Sequence, residues 1–241
     1  MAEPSNALRA ECEWGQAGIE TLRDRVAILV IVDVLSFSTA VDVAVSRGAI
    51  VLPFPLGDET ATQAAADAAG AVLATRRRAK GGQYSLSPAS LAAIDAGTRL
   101  MLPSPNGSRL SLAGGTTPIL AGCLRNASAV ARHARRLAGN GAVGVIPAGE
   151  RWPDGSLRPA IEDWLGAGAI LDALDLPLSP EARVARDAFR SAGTDLAQII
   201  RDSVSGRELI DADFAGDVEM AVESGASRTT PTLSGGAYRA G

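Results

Sequence analysis

At 241 residues, with 46% hydrophobic and 21% charged residues and a formal net charge of −4, the chain has a globular composition and length enough to bury a sizeable core. The acidic balance argues against a nucleic-acid binder, whose affinity rests on neutralising phosphates with a basic face. No apolar run reaches the roughly 20 residues needed to span a bilayer, so no membrane partner is expected.

The N-terminal "MAEPSNALRAECEW" has neither a basic n-region nor an apolar h-region, which points to a cytoplasmic protein. Cys12 and Cys123 lack any spacing that suggests zinc, and two free thiols follow. Short apolar runs then alternate with helix-like segments from end to end, the pattern of one domain built on a parallel or mixed sheet covered by helices. The strands read as "VAILVIVD" (26–33), "AIVLPF" (49–54), "AVLAT" (71–75), "TRLMLP" (98–103), "TPILAG" (117–122) and "AVGVIPA" (142–148). Runs so continuously apolar are expected where helices cover both faces.

Start signals mark the helices. "SPASLAAIDAG" offers Ser87 as N-cap with Pro88 after it, "NASAVARHARRLAG" offers Asn126 or Ser128, and "SPEARVARDAF" repeats the pattern with Ser179 and Pro180. From 179 to about 212 the chain reads as wholly helical, a lid or flank. The closing "TTPTLSGGAYRAG" reads as a short edge strand with a frayed tail.

Three features mislead. "GNGAVG", Gly139–Gly144, matches G-x-G-x-x-G, but it follows a helix and precedes a strand, the reverse of a dinucleotide fingerprint. Those glycines read as a helix C-cap and turn. His133, the sole histidine, lies mid-helix between arginines, which argues against triad hydrolysis. Asp33 is similar to the nucleophile of haloacid dehalogenase-like phosphatases, yet the position two residues on, where an acid should stand, is Leu35.

Four loops fall at strand ends, where crevices form in open α/β sheets. In "DVLSFST", Asp33 and the hydroxyls of Ser36, Ser38 and Thr39 suit either a helix cap or a site in which the acid holds a cation and the helix start receives a phosphate. In "PSPNGSRL" (103–110), Asn106 and Gly107 permit a tight turn, and Ser108 and Arg109 beside it suit a tetrahedral oxyanion. In "PAGERWPDGSLRPAIEDW" (147–164), Gly149 ends a strand and Glu162 and Asp163 open a helix. Neighbours on a helix point about 100° apart, so one acid faces the site and the other supports it. The fourth loop, "RRRAKGGQYSLSP" (76–88), brings Lys80 and three arginines, either as a solvated surface or as a basic patch that draws in an anion.

In order and spacing, "VIVDVLSFSTAVDVAVSRGA", "PSPNGSR" and "PAGE" followed by "IEDWLGAGAI" resemble the strand-to-helix signature, the Asn-Gly-Thr turn and the Ala-Gly and Glu-Asp segments of the 2-phosphosulfolactate phosphatase family, over about residues 26–235. The resemblance implies a three-layer α/β/α fold with a helical C-terminal flank. It also implies magnesium-dependent hydrolysis of the phosphate ester of a 2-hydroxy acid, giving 3-sulfolactate and inorganic phosphate on the coenzyme M route. By position, Asp33, Glu162 and Asp163 become the catalytic, metal-side acids, and Asn106, Gly107 and Ser108 the anion cradle. Ser36, Ser38, Thr39, Lys80, Arg109 and Gly149 complete the substrate side.

The chain departs from the family pattern where Arg-Ala-Thr-Thr becomes Ser36, Phe37, Ser38 and Thr39, where Gly-Glu-Arg becomes "TRRRA", where "GGQYSLSP" lacks an acid and an amide, and where Pro-Ser-Pro replaces a Thr run before Asn-Gly. With no catalytic histidine, phosphoryl transfer here would rest on positioning and charge neutralisation, which Mg²⁺ supplies with only one or two carboxylates. Two rivals stay open: a phosphatase of the same fold for another small phosphorylated acid, and a catalytically silent anion-binding protein. A homodimer is the default assembly of a small α/β enzyme. The charge-poor "DWLGAGAILDAL" (163–174) would pack in the core or across such an interface.

Overall fold

A computed structural model describes residues 8–75 and 83–241. In chain order the first half comprises β1 (Ala10–Cys12), α1 (Gly15–Leu22), β2 (Ile28–Val32), α2 (Phe37–Ser46), β3 (Ile50–Pro55), α3 (Glu59–Ala68), β4 (Val72–Leu73), β5 (Arg99–Ser104), α4 (Gly107–Ala113) and β6 (Ile119–Gly122). The second half follows with α5 (Ala127–Ala138), β7 (Val143–Pro147), a two-stranded ribbon β8 (Glu150–Arg151) and β9 (Leu157–Arg158), then α6 (Ile161–Leu174) and α7 (Pro180–Ala192). Three short helices, α8 (Leu196–Asp202), α9 (Val204–Ile210) and α10 (Ala215–Ala221), precede the hairpin of β10 (Pro231–Ser234) and β11 (Ala237–Ala240). No described helix is long and apolar enough to cross a membrane.

Nine strands form one mixed sheet in the order β1-β7-β2-β6-β10-β11-β3-β5-β4, with helices on both faces. β2 shows why its run is continuously apolar. Ile28, Val30 and Val32 enter one core with α5, α6 and α7, while Leu29 and Ile31 enter the other with α1 and α2. Alternation thus sends every side chain into a core, as expected of a strand covered twice. α6 supplies Leu165, Ile170, Leu171 and Leu174 to the first core, so the apolar 163–174 segment is interior packing. The helical run after 179 lies against it as a flank, starting where Ser179 Oγ accepts from the Ala182 amide.

The C-terminal segment departs from the expected edge strand and frayed tail. It forms a hairpin in the middle of the sheet, with β10 antiparallel to β6 and β11 antiparallel to β3. Tyr238 is fully buried, edge-on to Phe37 at 6.1 Å, and its hydroxyl lies 2.7 Å from Ser111 Oγ. Burying such a ring contributes about 2–3 kcal/mol. Upstream, Ser227 Oγ and Arg125 Nε donate to the buried Asp42 at 2.7 and 3.1 Å, pinning the approach to the hairpin against α2. The hairpin also reverses direction across the sheet. β3, β5 and β4 are parallel to one another but run opposite to β1, β7, β2 and β6.

Smaller expectations shift too. "SPASLAAIDAG" yields only a 3-10 turn at Pro88–Leu91, and Ser87 Oγ donates to Asp217 on α10 rather than capping a helix. "AVLAT" shrinks to the two residues of β4 at the sheet edge. β1 was not legible, because Glu11 interrupts it. In the fold Arg9 neutralises Glu11 at 2.7 Å while Ala10 and Cys12 are buried. Both cysteines are free, and "GNGAVG" is the turn from α5 into β7. His133 packs inside against Arg136 and Thr232.

Candidate active site

Register decides which loops meet. Val32 lies opposite Pro147 in β7 and Gly122 in β6, so Asp33 and the run Ala148, Gly149, Glu150 leave the sheet side by side. The loop after β5 starts five strand positions from β2 and in the reversed block. α4 then packs against β3, β2 and α1.

Asp33 fastens this junction. One carboxylate oxygen accepts from the Phe37 amide at 3.1 Å, closing the turn into α2, and the other accepts from the Gly107 amide at 2.9 Å. Asp163, in the first turn of α6, does the same for another pair of loops, accepting from Val34 N at 2.7 Å and Gly149 N at 2.8 Å. Gly149 has φ +69°, and a Cβ there would lie 2.5 Å from Leu157 Cδ1, so the close approach requires glycine. Glu150 accepts from Asn106 Nδ2 at 2.8 Å. Three carboxylates therefore hold the loops after β2, β5 and β7 and the start of α6 together through charge-assisted bonds.

Four acids meet here, one more than expected from sequence. Burial raises the Glu150 carboxyl to about 7, helped by the charges of Asp33 and Glu162 and opposed by the Asn106 bond and Arg158. Asp163 is held well above the usual carboxylate range by burial first, then by Asp33 and Glu162. The four therefore stand within electrostatic reach of one another. Glu150 does not stand at a helix start, the position that marks Glu162 and Asp163 in the sequence. Its signal was an acid directly after a strand-ending Gly149, the counterpart of Asp33 after β2.

The expected hydroxyls point elsewhere. Ser38 Oγ donates to Ile31 O and accepts from Asp33 N, both at 3.1 Å. Thr39 Oγ1 donates to Val34 O at 2.8 Å, and Ser108 Oγ to Leu102 O at 2.7 Å. All three are fully buried, so they lock helix starts to strand ends, and a substrate-binding role for them is not what this geometry favours. Ser36 is buried at the N-cap position. The amides of Phe37 and Ser38 are engaged by Asp33, so this helix start does not present them to a phosphate. The Gly107 and Gly149 amides are likewise committed to carboxylates, and Asp163 acts as a positioning residue with both oxygens engaged. Lys80, with Arg76, Arg77 and Arg78, lies outside the described residues.

Glu162 is 2% exposed and forms no hydrogen bond or ion pair among the described residues. The cluster offers oxygen donors only. Among the described residues no three His, Cys, Asp or Glu side chains converge as a metal cage. Such a set fits a hard cation that takes one or two carboxylates and keeps several waters, because a divalent charge relieves the repulsion that penalises ionised Glu150 and Asp163.

Glu150→Gln tests this repulsion without breaking the Asn106 bond. The folded pKa of Glu150 lies above its ordinary 4.5, so the stability this group contributes is fully present below about 4.5 and is lost as pH rises to about 7. Without added divalent cation, the variant is expected to be more stable than the parent at pH 8, by on the order of 1–3 kcal/mol in unfolding free energy, with little difference at pH 4.5. Parallel pH profiles would contradict the cluster's electrostatics.

Beside the acids opens a cavity of about 230 Å³, whose walls include Trp14, Asn106, Arg109, Glu150, Arg151 and Leu157. Trp14 is fixed by stacking on Trp164, centroids 5.1 Å apart and planes within 8°. A smaller cavity, about 120 Å³, beside α3 and β4 has Glu59 as the one charged side chain in its described wall.

Among curated proteins, the 2-phosphosulfolactate phosphatase of Methanothermobacter thermautotrophicus is 35% identical to this chain over 142 residues, a match that covers 58% of this chain and 58% of that protein. A family profile described as 2-phosphosulpholactate phosphatase matches residues 17–236, a span that contains Asp33, Asn106, Glu150, Glu162 and Asp163. By that match over most of its length, the chain belongs to the 2-phosphosulpholactate phosphatase family.

Proposed function

We propose that this protein is a Mg²⁺-dependent phosphatase that hydrolyses the phosphate ester of a small 2-hydroxy acid, 2-phospho-3-sulfolactate, to 3-sulfolactate and inorganic phosphate. The observation that carries the reading is the family match over residues 17–236, and it is supported by Asp33, Glu150, Glu162 and Asp163 standing within electrostatic reach at the ends of β2 and β7 and the start of α6. Asp33 and Glu162 would hold the cation. A bound Mg²⁺ would polarise the phosphoryl group and make the attacking water more acidic.

The protein's own groups supply the rest. Asp33 is preorganised by two backbone donors, and Asp163 sets the spacing of the loops that carry Asp33 and Glu150. Positions fixed before substrate arrives need no reorganisation during reaction. In the hydrolysis a water oxygen bonds to phosphorus, the ester P–O bond breaks, and the leaving oxygen takes a proton to become the 2-hydroxyl. Glu150, whose carboxyl is raised by burial and the neighbouring acids, is the group that would donate that proton.

The test is phosphate release from 2-phospho-3-sulfolactate, phospholactate, phosphoglycolate and glycerol 1-phosphate, with Mg²⁺ and with EDTA. Release that EDTA abolishes and Mg²⁺ restores, highest for phosphosulfolactate, is the expected result. Release indifferent to EDTA would remove the metal from the mechanism. Higher rates on another phosphorylated acid would reassign the substrate, and no release from any ester would favour a silent anion-binding protein.

A further inference from the structure

Two cavities flank the stacked pair Trp14 and Trp164, and both indoles line each of them. The larger, about 320 Å³, also has Glu13, Pro180, Glu181 and Val184 in its wall. The smaller, about 270 Å³, has Pro159, Ala160 and Ile161. Their rims are apolar and open to water, with Val184 58% and Ile161 44% exposed. α7 buries Ala182, Ala185 and Ala192, and Val184 lies off that face, so packing within its own chain does not account for it. Past Trp14 the strip continues to Leu157 on β9, 41% exposed. Contiguous exposed apolar surface of this kind marks an interaction face.

The two ends of the strip carry opposite charge. At one end Glu13 and Glu181 have no cation within ion-pair distance among the described residues, and the Glu13 carboxyl is held above its ordinary range by burial first, then by the charges of Glu181 and Glu11. At the other end Arg151 stands opposite Leu157 in the β8–β9 ribbon. It donates to Gly155 O at 2.8 Å and has no carboxylate within ion-pair distance among the described residues.

We propose that this strip is a two-fold interface on which a second copy of the chain docks, with Arg151 of each protomer set against the partner subunit's Glu13 and Glu181. A two-fold rotation about an axis through the tryptophan pair exchanges the ends of the strip, so the acidic end of one copy falls on the cationic end of the other, twice. The same rotation brings Val184 of each protomer over the partner subunit's smaller cavity. A surface with acid at one end, a guanidinium at the other and apolar side chains between them is complementary to itself, and this singles out a second copy as the occupant. At the centre the stacked indoles offer large apolar area that is rigid before contact, the feature that dominates binding energy at interfaces.

Sedimentation equilibrium of the full-length protein over a dilution series tests the interface without reference to turnover. A monomer–dimer equilibrium is expected. Val184→Glu, which places a charge in the strip, is expected to weaken it roughly 10- to 100-fold. Glu181→Arg and Arg151→Glu, each of which sets like charges against each other, are expected to weaken it by a similar factor, and the two substitutions combined in one chain to recover most of the loss. The combined variant decides the matter even if Val184→Glu fails to fold. A monomer at every concentration would overturn the proposal and leave the strip to a different protein. A dimer indifferent to all three single substitutions would place the contact on another face and overturn it as well. A dimer that the single charge reversals weaken and the combination does not recover would overturn the two-fold pairing.

Discussion

Asp33→Ala is expected to lower phosphate release by on the order of 10³-fold or more and to lower the melting temperature as well. The two effects have different origins. Both carboxylate oxygens accept buried backbone donors, Phe37 N and Gly107 N, and alanine leaves these unsatisfied at about 1–3 kcal/mol each. Against that, the Asp33 charge raises the proton affinity of Glu150 and Asp163, so its removal relieves repulsion. A net loss of about 2–4 kcal/mol corresponds to a fall of roughly 5–15 °C at this chain length. Asp33→Asn separates the two effects. The amide keeps the shape and one acceptor but removes the charge and turns a donor toward the other backbone N–H, so about half of the lost stability should return while turnover does not. An Asn variant with near-parental turnover would show that Asp33 serves the fold alone, and attention would move to Glu162.

Gly107→Ala is expected to cost about 3 kcal/mol or more, roughly 6–12 °C in melting temperature, together with most of the activity. A Cβ at this position would stand 2.2, 2.5 and 2.7 Å from Cδ1, Cγ and Cβ of Phe37. A long side chain could swing its far end away, but Phe37 is met at its own root. Its ring is fully buried against Tyr238. Relief therefore requires α4 to move off α2, and that movement stretches the Gly107–Asp33 bond. Thermal melts and phosphate release measured on the same preparation decide the matter. A variant that melts like the parent would mean that the two helix starts separate without cost, and the junction would not be what positions Asp33.

The resemblance and the strand-end acids were legible because each depends on local pattern. Asp33 follows an apolar run and precedes a helix, and Glu162 and Asp163 open another. That two adjacent acids point in different directions was also legible, since neighbours on a helix differ by about 100°. Which of them meets the loop after β2 was not: Asp163 accepts from Val34 N, 129 positions away. The hydroxyls misled for a related reason. A Ser or Thr at a helix start satisfies either a ligand or a nearby carbonyl, and the strand carbonyls of Ile31, Val34 and Leu102 claim Ser38, Thr39 and Ser108. Glu150 and its partner Asn106 stand 44 positions apart, beyond any local pattern.

By itself, the sequence determined the double-covered α/β architecture, the helical flank and the acids at strand ends, because burial of both strand faces and the start of a helix leave marks within a few residues. Only the tertiary structure decided that the C-terminal hairpin lies at the centre of the sheet, that the two parallel blocks oppose each other, and that the loops after β2, β5 and β7 share one crevice. Those outcomes depend on strand order and register, which are set by pairing between segments far apart in the chain.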